Sequence, residues 1–292
     1  MNITVWGGAG FLGSHVSDNL SDNGHDVTIA DINESRWIKD NQKMFIGSLL
    51  DQESVNKSLE NADYVFNFAG VADIGEADKD PIGSAKTNII GNLNLLEACV
   101  KAKVSRYIFA SSLYVYSNSG GFYRCSKQAC EGYIDEYYRQ FNLNCTVLRF
   151  GSLYGLRSDK YNAIYRFINE ALTENKINYY GSPDALREYI HVEDAAQICN
   201  EILDEKYTNQ HITITGHQSM RVKQVLEMIS EMIDEDIKLN FDTNNKNHHY
   251  KITPYSFNPR LGKKYIPQLH TDMGQGLLQL LHAIQKKISD EK

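Results

Sequence analysis

Residues 3–14 (ITVWGGAGFLGS) constrain the fold more than any other part of this chain. A short apolar run ends in Gly7, Gly10 and Gly13 follow at three-residue steps, and the residues through Leu20 have helical character. Strand, tight glycine turn and helix in that order build a phosphate cradle. Backbone N–H groups approach a pyrophosphate where side chains are missing, and the positive end of the helix dipole faces it. Glycine turns are common, so context decides. Residues 26–31 (DVTIAD) read as a second strand ending in an acid, and Asp31 lies 18 residues past Gly13. A dinucleotide-binding unit places there the carboxylate that accepts from both ribose hydroxyls. The pairing predicts a dinucleotide site.

The chain has 292 residues, enough for one large domain or two unequal ones. Its 42% hydrophobic and 23% charged content is ordinary for a soluble globular protein. The net charge is −7 and the pairs Lys263–Lys264 and Lys286–Lys287 are isolated, so they read as solvated surface and no nucleic-acid partner is expected. No apolar run approaches the ~20 residues that span a bilayer. The N-terminus enters a strand directly, so no signal peptide and no membrane partner are expected. Cys99, Cys125, Cys130, Cys145 and Cys199 lack paired-ligand spacing and read as small core residues in a reducing compartment. The histidines show no metal-ligand spacing, and His248 and His249 read as loop. The expectation is a cytoplasmic protein without a metal.

Strand and helix signals alternate through the first half, which predicts an α/β fold, a Rossmann-type doubly wound parallel sheet. Further strands are expected at 43–47, 64–70, 106–111 and 145–150. A helix over 51–60 is capped by Asp51, and Pro81 begins a long helix to about Ala102. After 151 the pattern loosens, with helices near 161–174 and 222–233, a strand near 212–215 and a loop over 242–250. A smaller, mainly C-terminal substrate domain is expected. The division is 1–151 with 187–216 for the dinucleotide, and 152–186 with 217–292 for the substrate.

Tyr123 and Lys127 are four apart in a predicted helix running to about Phe141, whose inward side reads as Ala129, Ile134, Tyr137, Tyr138 and Phe141. Both therefore project from one helix face. An ammonium near a phenol, together with the positive ring of an oxidised nicotinamide, favours the phenolate and lowers its pKa towards neutrality. Such a phenol is a usable general base. Taken alone, the pair also suits an ordinary helix surface. Upstream, however, Ser112 stands just past a strand, where open parallel sheets bind ligands. A serine hydroxyl there can hold the reacting oxygen.

With these residues together, the chain resembles the extended short-chain dehydrogenase/reductases, the NAD-dependent nucleotide-sugar epimerases and dehydratases that include UDP-glucose 4-epimerase. The pieces are Gly7–Gly13, residues 67–70 (NFAG), 88–91 (NIIG) with 94–98 (NLLEA), Ser111-Ser112, Tyr123 with Lys127, 148–155 (LRFGSLYG) and 187–194 (REYIHVED). The resemblance implies a catalytic trio of Ser112, Tyr123 and Lys127. It implies NAD held by Gly7, Gly10, Phe11, Leu12, Gly13, Asp31, Ile32, Ser48, Leu49, Ala69, Gly70, Asn88, Tyr123, Lys127 and Phe150. It further implies that Arg187 grips a nucleotide diphosphate, that Ser152 and Ser112 face the substrate, and that Lys251 replaces a second diphosphate-binding arginine. Arg149 is expected to fix backbone at a strand end. The helices at 81–102 and 123–141 are expected to form a homodimer interface.

Two departures narrow the reaction. Related dehydratases carry an Asp-Glu pair after the serine, and the decarboxylases keep a Glu; this chain has Leu113 and Tyr114. Only six residues separate Tyr116 from Tyr123, where many relatives have a longer loop over the sugar. The expected activity is epimerisation of a nucleotide-diphosphate sugar, most simply at C4, through a transient ketone. The alternatives are a reductase of a 4-keto sugar nucleotide and a non-catalytic dinucleotide sensor. The intact trio argues against the sensor.

Overall fold

A computed structural model describes residues 1–233, 236–243 and 249–256. The pairs Lys263–Lys264 and Lys286–Lys287 and the stretch 257–292 of the expected substrate domain lie outside the described residues.

Apolar residues alternate along β1 (Asn2–Trp6), where Ile3 and Val5 enter one core and Trp6 the other. The glycine loop leads into α1 (Phe11–Asp22), then β2 (Asp26–Asp31), β3 (Gln42–Ile46), α2 (Gln52–Ser58) and β4 (Tyr64–Asn67). Next come α3 (Ile74–Lys79), α4 (Pro81–Ala85), α5 (Gly91–Ala102) and β5 (Arg106–Ser112). A 3₁₀ turn, Leu113–Tyr116, precedes α6 (Gly121–Phe141) and β6 (Cys145–Phe150). The seven-stranded sheet runs β3-β2-β1-β4-β5-β6 and ends on β10 (Gln210–Ile214). Every pairing in it is parallel. The order reverses between β1 and β4, which opens a crevice at the carboxyl ends of the strands.

Both faces of that sheet are covered, as parallel sheets require. Val16 and Leu20 of α1 pack on one face with Ala195, Ala196 and Cys199 of a later helix (Val192–Glu201). Leu95 and Leu96 of α5 and Cys130 and Ile134 of α6 cover the other.

Beyond β6, the chain forms β7 (Ser152–Tyr154), α7 (Ala163–Glu174), β8 (Lys176–Tyr180), β9 (Leu186–His191) and α8, the Val192–Glu201 helix. After β10 come β11 (Ser219–Arg221), α9 (Val222–Ile233) and β12 (Lys238–Asp242). β7, β9 and β11 make a second sheet, and β8 pairs with β12. A third core cluster is built from α7, β8 and α9, with Phe167, Ile177, Leu226 and Ile229 at its centre. No helix among the described residues is long and apolar enough to cross a membrane.

Local signals held where local physics decides. Asp51 accepts from the backbone N–H of Glu53, and Pro81 occupies the first turn of α4. Three expectations are corrected. The helix from Pro81 is interrupted by a π turn at Lys86–Ile90, which presents Asn88 to the loop after β4. In α6, Tyr138 and Phe141 are exposed rather than inward. The 21 residues of that helix span about 32 Å, whereas the seven residues of β5 span about 23 Å, so its last turns overhang the sheet. Cys125 is exposed on the outer side of α6; the other four cysteines are buried as expected.

Candidate active site

A cleft of about 870 Å³ opens at the reversal of strand order. Of the residues singled out in the sequence, Gly7, Gly10, Phe11, Leu12, Gly13, Gly70, Ser112, Tyr123, Lys127 and Phe150 line it. Gly7 adopts a φ of +78°, and a Cβ there would meet Ala69 N at 2.5 Å. A Cβ on Gly13 would lie 2.2 Å from Gly7 O. Positions 7 and 13 therefore tolerate no side chain, and α1 begins after the turn with Gly10 as N-cap. Asp31 closes the other flank: its carboxylate accepts from Ala9 N at 3.2 Å and from Asn33 N at 3.1 Å. A bare helix N-terminus, a glycine-rich turn and an acid at the tip of β2 fit the pyrophosphate and ribose of a dinucleotide.

The other expected cofactor residues have the following surroundings. Ser48 accepts from Leu50 N in its own turn, and Leu49 is buried in the core beneath α5. Ile32 is exposed. Ala69 donates its N–H to Asn67. Asn88 accepts from Val71 N, and donates to Val71 O and to Ser126 Oγ. It ties the cleft loop to α6.

The trio comes together. β5 delivers Ser112 to the cleft, and α6 brings Tyr123 and Lys127 to it from one helix face. The Ser112 hydroxyl lies near enough to the Tyr123 phenol to work on its pKa. Lys127 Nζ donates to Ala110 O at 2.8 Å and lies 5.8 Å from the Tyr123 ring centroid. The expected fall in the Tyr123 pKa is not produced by these groups. Burial pushes the phenol up to about 12, against the nearby Ser112 hydroxyl, which works the other way. The ammonium is engaged by the Ala110 carbonyl, and its own pKa is lowered by burial. The protein's side chains thus leave Tyr123 protonated at neutral pH, so the positive nicotinamide of the sequence argument is needed to make it a base.

On the substrate side, Arg187 is buried, donates to Leu186 O at 2.9 Å, and stacks 4.4 Å over the ring of Tyr250. Ser152 hydrogen-bonds Tyr250. Lys251 contributes only its carbonyl, which accepts from Leu186 N at 2.8 Å, and its side chain is exposed. The residue that meets Arg187 is its neighbour. Tyr250 also stacks on Tyr114 at 4.7 Å between centroids, and the Tyr114 hydroxyl is hydrogen-bonded to His249 Nδ1. Both Tyr114 and His249 line the cleft. So the stretch read as loop in the sequence closes this side; residues 244–248 of it lie outside the described residues. No local signal marks His249 and Tyr250, because their partners are far away in sequence.

Arg149 does not fix backbone, as expected of it. Its guanidinium reaches Glu131 Oε2 at 2.6 Å and Oε1 at 3.1 Å, the Tyr116 hydroxyl, and His211 Nδ1 at 2.6 Å. The carboxylate facing it outcompetes a carbonyl as acceptor.

Residues 3–215 match the NAD dependent epimerase/dehydratase family. The chain is 27% identical to a UDP-N-acetyl-alpha-D-glucosaminuronate decarboxylase of Bacillus cytotoxicus, covering 80% of this chain and 81% of that one. The fold is similar to the UDP-glucose 4-epimerase of Thermotoga maritima, solved with UDP-glucose, at a TM-score of 0.80 and 28% identity over 88% of this chain and 90% of the other. It is also similar to the UDP-N-acetylglucosamine 4-epimerase of Methanobrevibacter ruminantium, in complex with UDP-N-acetylmuramic acid, at 0.78 and 27% over 88% and 89%. Cleft, trio and likeness agree: the chain belongs to the NAD-dependent epimerase/dehydratase family, and NAD is its cofactor.

Proposed function

We propose that this protein interconverts the two epimers of a nucleotide-diphosphate sugar, most simply at C4, through a transient keto sugar. One observation carries the reading. The turn after Ser112 sends Leu113 into the core and Tyr114 into the cleft, so the two positions that hold acids in dehydratases offer no carboxylate beside the trio. A ketone formed there has no carboxylate from this turn to drive loss of water.

When bound, NAD supplies reversible removal and return of hydrogen at the sugar carbon. The residues of the chain handle the proton and the geometry. Ser112 holds the reacting oxygen, and Tyr123 beside it takes the hydroxyl proton and gives it back. Lys127, fixed on Ala110 O, holds positive charge beside the phenol and favours its ionised form.

This reading assigns the cofactor to residues 1–151 and 187–216 and the nucleotide sugar to 152–186 and 217–292. Support comes from the third core cluster, whose buried residues belong wholly to the second set. The substrate's diphosphate falls to Arg187 and Ser152.

The test is turnover by purified protein on a panel of UDP-, GDP-, dTDP- and CDP-sugars. The preferred sugar should reach one equilibrium mixture from either epimer, without added NAD and without net change in the NADH absorbance band. In deuterated water the inverted carbon should stay unlabelled. Steady NADH consumption with a 4-keto sugar, and no epimer from any saturated one, would establish the reductase instead. A 4-keto-6-deoxy product would establish a dehydratase.

A further inference from the structure

After β7 the chain does not turn straight into α7. Residues 155–158 first swing out onto α1, and residues 159–162 then return to the cleft. The detour has a conformational cost. Gly155 has a φ of +141°, and Arg157, which carries a full side chain, has a φ of +65°. A residue with a Cβ stays in that left-handed region only where its surroundings hold it there.

Contacts with α1 and its neighbours do the holding. Leu156 O accepts from His15 Nε2 at 2.9 Å, and Arg157 Nη2 donates to Asp18 Oδ2 at 2.7 Å. The guanidinium also lies 5.3 Å over the ring of Trp37, in the loop between β2 and β3. Asp18 is fixed in turn by Gln42 Nε2 at 3.0 Å. Both members of the ion pair are mostly buried, so solvent screens it less than a surface pair.

These contacts fall on the helix whose N-terminus suits a pyrophosphate. Phe11, His15 and Asp18 follow at steps of four and three along α1, so they share one face. Phe11 begins that face in the cleft, directly after the glycine turn, and meets His15 edge-on at 6.2 Å between centroids. The loop leaves the cleft at Leu153 and re-enters it at Asp159 and Tyr161, with its middle pinned to the flank of α1. The Asp159 carboxylate is turned back onto its own loop, where it accepts from Tyr161 N at 3.0 Å.

We propose that residues 155–162 form a clasp that governs how fast the dinucleotide enters and leaves, with Arg157 on Asp18 as its catch. A group seated on the glycine turn is bounded by α1 on one side and by this bridge on the other. Widening that edge requires the catch to let go, so the ion pair slows entry and exit alike. The left-handed backbone at Arg157 relaxes when the catch opens, which keeps the clasp releasable. The clasp acts on NAD, so it stands whether the sugar chemistry is epimerisation or reduction.

Stopped-flow binding of NADH to the full chain, and its displacement by excess NAD, give the two rates. Arg157→Asn breaks the catch, and asparagine tolerates the left-handed backbone at this position. Exit should become about tenfold faster, the worth of a charge-assisted hydrogen bond, and entry should rise with it, leaving Kd within about threefold. Asp18→Asn should reproduce the effect from the α1 side, and it carries the same test should Arg157→Asn not fold. Arg157→Lys keeps a cation for Asp18 and should restore most of the slow exchange. Unchanged rates in both variants that break the pair overturn the proposal. Faster exit without faster entry overturns it too, because that is the mark of a lost binding contact or a loosened fold.

Discussion

Arg149 and Glu131 face each other as a two-point fork, guanidinium to carboxylate, with only 14% and 11% of their side chains exposed. The fork also gathers the ends of the elements that bear the site. Ser111 donates to Glu131 at 2.5 Å and Tyr116 meets Arg149, so β5, the turn after it, α6 and β6 share one charged network.

Burial alone would raise the Glu131 carboxyl, but the nearby His211 ring and hydrogen bonds from Arg149 and Ser111 outweigh it and hold the pKa at about 2, down from 4.5. A depressed carboxyl contributes stability that is present above pH 4.5 and lost as pH falls through 2, here about 3 kcal/mol. His211 acts in the opposite sense. Its pKa is raised, chiefly by the Glu131 carboxylate 3.7 Å from its Nδ1, so its smaller contribution is complete below 6.5 and lost as pH rises through the folded value. Glu131→Gln should cost about 3–5 kcal/mol at neutral pH, because Arg149 is left unpaired. Urea denaturation of both proteins across pH should show the gap closing between pH 4.5 and 2. A gap independent of pH would refute the role given to this carboxylate.

Tyr123 should titrate near 12 in protein stripped of NAD, since burial raises it. Ultraviolet difference titration against Tyr123→Phe would isolate that one phenol. The same substitution should abolish turnover while NAD binding and thermal stability stay nearly unchanged, because the ring remains packed against Tyr114. Full activity in Tyr123→Phe would dismiss it as the base.

Asp31 should make the protein prefer NAD to NADP. Its carboxylate stands at the tip of β2 facing the glycine loop, where it accepts from a ribose diol and repels a 2′-phosphate. Arg36, five residues on, is exposed and does not offset it. Asp31→Ser should reduce NAD affinity roughly ten- to a hundredfold, the value of hydrogen bonds to a charged acceptor. Equilibrium binding of both cofactors decides this; a parent protein that already prefers NADP would reverse the assignment.

Gly13→Ala should abolish NAD binding. The added methyl would sit 2.2 Å from Gly7 O and 2.8 Å from Gly7 C, both backbone atoms that cannot swing aside. The loop must open to admit it, and the cradle is lost with it. NADH fluorescence would report the binding, and a thermal melt the cost to the fold. Near-normal affinity would mean that the turn is looser than its geometry.

The parts of the site legible in the sequence are those written in local chemistry. The glycine turn, the acid at the end of β2, the Asp51 cap and the one-face pairing of Tyr123 with Lys127 each depend on residues within a few turns of one another. The wall of the cleft formed by Tyr114 and His249 is different. Tyr114 and His249 are 135 residues apart, and only the packing of β9 against the last described stretch brings them together. Lys251 attracted attention by its charge, yet its carbonyl is used and the neighbouring ring of Tyr250 meets Arg187. Arg149 and Glu131 were equally opaque, since neither marks its partner in sequence. The burial of Tyr123, which pushes its phenol up, is likewise not written in its spacing from Lys127.

The helices between Pro81 and Phe141 are expected to join two copies of the chain. α5 and α6 pack side by side, and Tyr137 of α6 donates to Glu97 of α5 at 2.5 Å. That contact spends one of the tyrosines on its own subunit. The rest of the surface remains apolar. Ile82, Ile90, Phe122, Tyr133, Tyr138 and Phe141 are all exposed along these helices, more large hydrophobic side chains than a monomer surface needs here. Aromatic residues are enriched at the centres of interfaces, and the exposed Tyr133 and Tyr138 supply them on α6. Sedimentation at micromolar concentration should give a species of twice the 33.2 kDa chain mass. A Tyr133→Glu, Tyr138→Glu double variant should sediment as a monomer with an unchanged circular dichroism spectrum, since both side chains project outward. A parent protein that sediments only as the 33.2 kDa species would rule the interface out.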